Sequence, residues 1–360
     1  MFNKLKLVTR YLRDESRRLK ILYFTVLFSR KRKKNRNNID LSSVKKVALL
    51  RYDGKLGDAI MMCSLIDIIE RNSPDIELTL FSSSTLVNEW VKKISGKIKI
   101  IECEHKKKLS PDFFGKFSNY FDVAVELKHS LDLKDIKILH SLNSKINIGY
   151  AKNSIFDIVI PGEFKSSRDR QIKAASIILG KDIILTRIPP PKIDKDFDFI
   201  VFERKTIAFN LFGANKYRSF AFDSAVKLIN NWLAEWPDEK IILIPVPGKI
   251  EFLAKLESIF SNKNVFLPKQ DPSLDLSLFI LSKCDLCFTP DTSVVHMASA
   301  LNTPTLAIYH DNIANYEGWK PLSDNSRTVF YKEMANEVDR GYVSDFDWHQ
   351  LVLTKNDMKI

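Results

Sequence analysis

The stretch TPDTSVVHMASALNTPTLAIYH, residues 289–310, decides how this chain is to be read. An apolar strand from Leu286 to Phe288 runs into Thr289-Pro290-Asp291-Thr292-Ser293. A small-residue helix carrying His296 follows, then a second apolar strand from Thr305 to Tyr309. Strand, polar turn, helix and strand make one unit of a parallel sheet with helices on its faces. The first backbone N–H groups of such a helix have no intrahelical partner, and with the positive end of the helix dipole they suit a phosphate. Asp291, Thr292, Ser293 and His296 add polar side chains where an α/β sheet takes its ligands. Asp-Thr-Ser before a helix is equally an ordinary N-cap, and this segment alone leaves both readings standing.

Working outward, the same alternation fills the chain from about Val44. Strands are predicted at Val47 to Arg51, Glu77 to Phe81, Lys97 to Ile101, Asp122 to Leu127 and Ile146 to Tyr150, with helices from Ala59 to Arg71 and Thr85 to Lys93. The pattern breaks at 186–198, where Pro189-Pro190-Pro191 can continue neither a helix nor a central strand. It then resumes with strands at Ile207 to Leu211, Ile241 to Pro245 and Val265 to Leu267, and helices at Phe222 to Trp236, Ile250 to Phe260 and Leu274 to Ser282. The expected architecture is α/β, with two Rossmann-like domains facing a central cleft. The divisions are a basic arm over 1–43, a first domain over 44–190, a second over 191–325, and a last segment, 326–360.

Charge is uneven in this chain of 360 residues, whose net charge is +12. Residues 1–38 hold 13 Lys+Arg against 2 Asp+Glu, so residues 39–360 are nearly neutral, with 43 against 42. Phe2, Leu5, Val8, Leu12, Leu19 and Leu22 recur at roughly helical spacing among these cations, which predicts a basic amphipathic helix. Its apolar run from Ile21 to Phe28 is too short to cross a bilayer, and no small-residue cleavage site follows, so no signal peptide is expected. Such an arm suits an anionic membrane surface. A solvated tail, a helix packed on its own protein and a nucleic-acid arm are the other readings. Nucleic acid is disfavoured because no basic patch recurs in the globule. The pair Cys284 and Cys287 has the spacing of a zinc or redox motif, but no second pair completes it, so the four cysteines read as structural thiols in the cytosol.

The first strand ends in Arg51-Tyr52-Asp53-Gly54-Lys55-Leu56-Gly57-Asp58. This is neither a Walker loop nor a dinucleotide fingerprint, and the latter absence argues against a NAD-dependent oxidoreductase. Gly54 and Gly57 permit a tight turn with backbone close to a ligand. Asp58 is either the helix N-cap or a general base facing the cleft.

Val47 to Ile60, with its Leu56-Gly57-Asp58, resembles the opening motif of the heptosyltransferases, glycosyltransferase family 9. Pro290 to Pro304 is similar to that family's Asp-Thr-Gly-x-x-His motif, and Phe209 to Phe220 to its Gly-Ala–Lys-x-Trp segment; Trp319-Lys320-Pro321 matches more weakly. The resemblance spans roughly 44–325 and implies a GT-B fold and metal-independent, inverting sugar transfer without a cofactor. The donor would be a nucleotide sugar such as ADP-heptose. The acceptor would be a lipid-linked saccharide such as the lipopolysaccharide inner core, with residues 1–38 on the anionic inner face of the cytoplasmic membrane. It makes Asp58 the catalytic base and puts Asn210, Lys216, Arg218, Asp291, Thr292, Ser293 and His296 at the donor. It also implies that the last segment packs back on the first domain. Ser293, Arg218, Phe220 and His310 depart from the family pattern, all on the donor side. Another nucleotide sugar, used in capsule synthesis, and a non-catalytic sugar-nucleotide binder are therefore the alternatives.

Overall fold

A computed structural model of the chain describes residues 2–32, 40–103, 110–162, 166–184, 187–197, 202, 205–260, 264–332 and 341–358. Six parallel strands form the first sheet: β1 (Lys46–Arg51), β2 (Glu77–Ser82), β3 (Lys99–Glu102), β4 (Val123–Glu126), β5 (Ile146–Gly149) and β6 (Ile158–Val159), in the order β3-β2-β1-β4-β5-β6. Six more form the second: β7 (Thr206–Phe209), β8 (Lys240–Leu243), β9 (Val265–Phe266), β10 (Leu286–Pro290), β11 (Thr305–His310) and β12 (Ser326–Tyr331), in the order β12-β11-β10-β7-β8-β9. The two orders are equivalent. In each, the chain starts in the middle, works to one edge, then returns to the other side of its first strand. Strands β1, β7 and β10 are apolar runs because helices cover both their faces. The order reverses between β1 and β4 and between β7 and β10, and ligand crevices open at the carboxyl ends of such strands.

Helices α2 (Leu56–Asn72), α3 (Thr85–Ile94) and α6 (Ser167–Leu179) cover one face of the first sheet, and α4 (Pro111–Gly115) and α5 (Leu133–Leu142) the other. The second sheet carries α7 (Phe222–Glu235), α8 (Ile250–Ile259), α9 (Leu274–Lys283), α10 (Ser293–Leu301) and α11 (Ile313–Trp319). The lobes touch where α10 packs on α2, and where α9 approaches α3. The connector from 187 to 197 has no regular structure and is fastened at this second contact. Lys93 of α3 lies 3.1 Å from Asp194 of the connector and 2.5 Å from Asp275 of α9, and Lys195 is 3.0 Å from Asp275.

Two expectations need correction. Residues 326–331 are not a trailing segment but β12, paired along β11, so the second sheet runs past 325. The remainder packs on the second lobe rather than on the first. In α12 (Trp348–Asn356), Leu351 is fully buried in the second core, together with Met358 just beyond the helix. Lys355 Nζ lies 2.7 Å from Glu239 and 3.6 Å from the centre of the Trp236 ring. Trp236 and Glu239 belong to the turn that closes α7, so the tail is fastened to the second lobe.

The arm is a helix, α1 (Phe2–Arg32), docked on α5. Ile21, Phe24 and Phe28 pack on the first core, Phe28 stacks on His140 at 3.7 Å between ring centres, and Asn153 donates to Thr25 at 3.3 Å. Part of the Lys/Arg cluster closing the arm, residues 33–36, lies outside the described residues.

Candidate active site

Arg51 ends β1 as the one arginine on an otherwise apolar run opened by Lys46. Its side chain is 4 % exposed, and its Nη1 lies 3.1 Å from Asp53 Oδ2 and 3.4 Å from Asp58 Oδ1. Gly54 turns the chain in the left-handed region, φ +71°, which glycine adopts without strain. Helix α2 then begins at Leu56, one turn earlier than the periodicity predicts, with Lys55 as its cap residue. Asp58 is thus the third helical residue and not the N-cap, and its carboxylate is free to face the cleft. Burial pushes the Asp58 carboxyl above its usual range, while Arg51, Lys55 and Arg170 pull it back down. Arg170, buried on α6, donates to the Leu127 carbonyl at 3.2 Å.

A charged network buttresses the loop from behind. Tyr52 donates to Asp135 at 2.5 Å and Lys128 to the same carboxylate at 2.6 Å. Glu126, at the end of β4, is fully buried and its carboxyl is pushed up to about 7, chiefly by that burial.

The second lobe contributes Arg218 from a 3-10 turn, Lys216–Arg218, capped by the Asn215 side chain accepting from the Tyr217 and Arg218 amides at 3.0 and 3.2 Å. Gly213 underlies this turn: a Cβ there would meet the Arg218 Cβ and carbonyl at 2.5 Å. Arg218 Nη1 pairs with Asp291 Oδ2 at 2.9 Å. Asn210 is buried and donates to Phe212 O and Thr289 Oγ1, each at 3.0 Å, tying β7 to β10. Thr292 is the cap residue of α10, but its side chain makes no capping bond, leaving the opening amides of α10 unmatched by it. His296 is 3 % exposed, and burial lowers its imidazole to about 4, so the ring is neutral at neutral pH. It could take part in binding as a hydrogen-bonding group, not as a cation.

These parts meet around one cleft of about 840 Å³. Gly57, Asp58, Asn210, Arg218, Asp291, Thr292, Ser293 and His296 all line it. Gly57 is where the lobes come closest: a Cβ would fall 2.8 Å from His296 Cδ2. Two of the residues singled out in the sequence lie elsewhere. Gly54 shapes the turn without lining the cleft, and Lys216 is exposed on the outer side of its turn, 5.0 Å from the Tyr217 ring centre. The other end of the cleft is apolar, walled by Ile244, Pro245, Val246, Pro247 and Leu274. Arg51 and Arg170 were not singled out. A lone arginine ending the run KVALLR was the available signal for the first; nothing in the sequence marks the second.

Residues 272–347, from the apolar wall through α10 to β12, match the model of glycosyltransferase family 9 (heptosyltransferase). The chain is a heptosyltransferase-like glycosyltransferase. It is 22% identical over 312 residues, 81% of each chain, to "Putative lipopolysaccharide heptosyltransferase 4" of Escherichia coli strain K12. Its fold is shared with the family 9 glycosyl transferase of Veillonella parvula DSM 2008, at TM-score 0.68 and 12% identity, covering 89% of this chain and 97% of that one. It is shared too with Escherichia coli ADP-heptose lps heptosyltransferase II, at TM-score 0.62 and 15% identity, covering 86% and 99%. A heptosyltransferase-like fold therefore carries this cleft between its two lobes, and the resemblance read from three short motifs is borne out.

Proposed function

We propose that this glycosyltransferase moves heptose from ADP-heptose onto a lipid-linked oligosaccharide of the lipopolysaccharide inner-core type, with inversion and without a metal. Its site of action is the inner face of the cytoplasmic membrane, and the basic residues 1–38 hold it to the anionic surface. The observation that carries this reading is a single cleft lined from one lobe by Asp58 and from the other by Arg218 and the opening of α10. Asp58 takes the proton of the acceptor hydroxyl as that oxygen bonds to the anomeric carbon. On the opposite face of the sugar the bond from that carbon to the diphosphate oxygen breaks, and its electron pair leaves with the diphosphate. Arg218 and the first amides of α10 meet the charge that develops there, which is where fixed donors accelerate a reaction most. Arginine in place of the family's lysine offers phosphate a planar, two-pronged donor. The apolar wall from Ile244 to Pro247 suits the nucleobase.

The names of the relatives support the donor and acceptor classes, and a panel of ADP-, UDP- and GDP-sugars with a lipid A–sugar acceptor tests them. An Asp58→Asn variant should remain folded and bind ADP by calorimetry, while its transfer rate falls by about 10²–10⁴-fold. Turnover near wild type would remove Asp58 from the role of base.

A further inference from the structure

Helix α1 carries two apolar stripes, and only one is covered. The covered stripe is Ile21, Phe24 and Phe28, packed on the first core, with Thr25 and Ser29 buried beside them, the five spaced i, i+3, i+4, i+7 and i+8. The second comprises Leu12, Leu19, Leu22 and Val26, at i, i+7, i+10 and i+14, with Tyr23 beside it. Leu19 is 65 % exposed and Leu22 60 %. At about 100° per residue the stripes lie on roughly opposite sides of the helix. Exposed apolar rows of this length mark an interaction surface. Arg18 and Lys20 flank the open stripe on either side, both exposed, where long cationic chains can reach polar headgroups while their stems stay in contact with apolar surface.

Charge selects the occupant. The 38 residues around this stripe hold 13 cations against 2 anions, so two such arms repel each other while an anionic surface attracts both. Among the described residues no helix is long and apolar enough to span a membrane. Building on the membrane-surface reading of the arm, we infer that α1 lies flat in the headgroup region of an anionic bilayer. Leu12, Leu19, Leu22 and Val26 insert, and Ile21, Phe24 and Phe28 clamp the first lobe to the helix. The protein is thereby held in one orientation, by the lobe that carries Asp58. Among the described residues the principal docking of α1 is on α5 of the first lobe, which carries the second lobe clear of the lipid. The clamp sits on α5, whose Asp135 buttresses Tyr52 beside Arg51, so the membrane helix rests directly behind the catalytic loop.

Co-sedimentation of the full chain with phosphatidylcholine vesicles, with and without phosphatidylglycerol, tests this. Leu19→Glu/Leu22→Glu should weaken binding to the anionic vesicles by about tenfold or more with the melting temperature unchanged. Phe24→Ala/Phe28→Ala should instead lower the melting temperature. Wild-type affinity in the first variant, when the wild type itself binds, would overturn the inserted stripe and leave a purely electrostatic arm. A dimer by light scattering that the first variant turns into a monomer would assign the stripe to a second copy. No binding of the wild type to anionic vesicles would remove the membrane reading altogether.

Discussion

Arg51 and Asp58 are seven positions apart in sequence, and the turn at Gly54 brings them to 3.4 Å. The pair has a chemical consequence. Burial favours the protonated form of Asp58, and the Arg51 charge opposes it. In the proposed role of base Asp58 works only when ionised, so its pKa would set the acid limb of the rate profile. Removing Arg51 leaves burial less opposed, raises the Asp58 pKa and carries that limb to higher pH. Arg51→Met should therefore move the limb upward by about one pH unit while Arg51→Lys largely restores it. A pH–rate profile checks this. A limb that stays put while the melting temperature drops would make Arg51 a packing residue only. Asp58 was legible because its neighbours Leu56 and Gly57 form a motif. Arg51 and Arg170 were not, because their meaning depends on a loop closing and on a helix arriving from more than a hundred residues away.

Helices α2 and α10 meet through Gly57 and His296, so their packing turns on a missing side chain. Exchanging a helical glycine for alanine ordinarily stabilises by about 1 kcal/mol. Here the added Cβ meets an imidazole at 2.8 Å within the lobe contact. Gly57→Ala should reverse the sign and cost about 1–3 kcal/mol, read by urea denaturation; a more stable variant would show that the helices part at no cost. Most elements were readable in advance. β1, β7, β10 and β11 are short apolar runs ended by polar turns, and α3 and α7 are strongly periodic. Helix α6, SRDRQIKAASIIL, was not readable, since Arg170 and Gln171 are buried on the face that a periodicity argument needs apolar. The start of α2 was misjudged for a related reason: two glycines within four residues look like loop, yet Gly57 is helical.

Across the whole molecule, two sheets of equivalent strand order set their crevices against each other, and the tail decides which half it completes. The family resemblance put the tail on the first domain, and its own sequence could not correct that, because the anchors of short α12, Leu351, Lys355 and Met358, find partners only in three dimensions. Leu351→Ala should cost about 2–5 kcal/mol, lowering the unfolding midpoint and weakening nucleotide binding to the second lobe. An unchanged midpoint would mean that α12 is dispensable to that core. The joint near the connector is of another kind. Lys93, Asp194, Lys195 and Asp275 bind it with charge, beside an apolar contact in which Phe197 of the connector meets Phe279 of α9. The charged partners can be traded for water and salt ions one at a time. Salt therefore loosens only the charged half of this joint and leaves its greasy half gripping, which caps how far ionic strength can ease the two lobes apart.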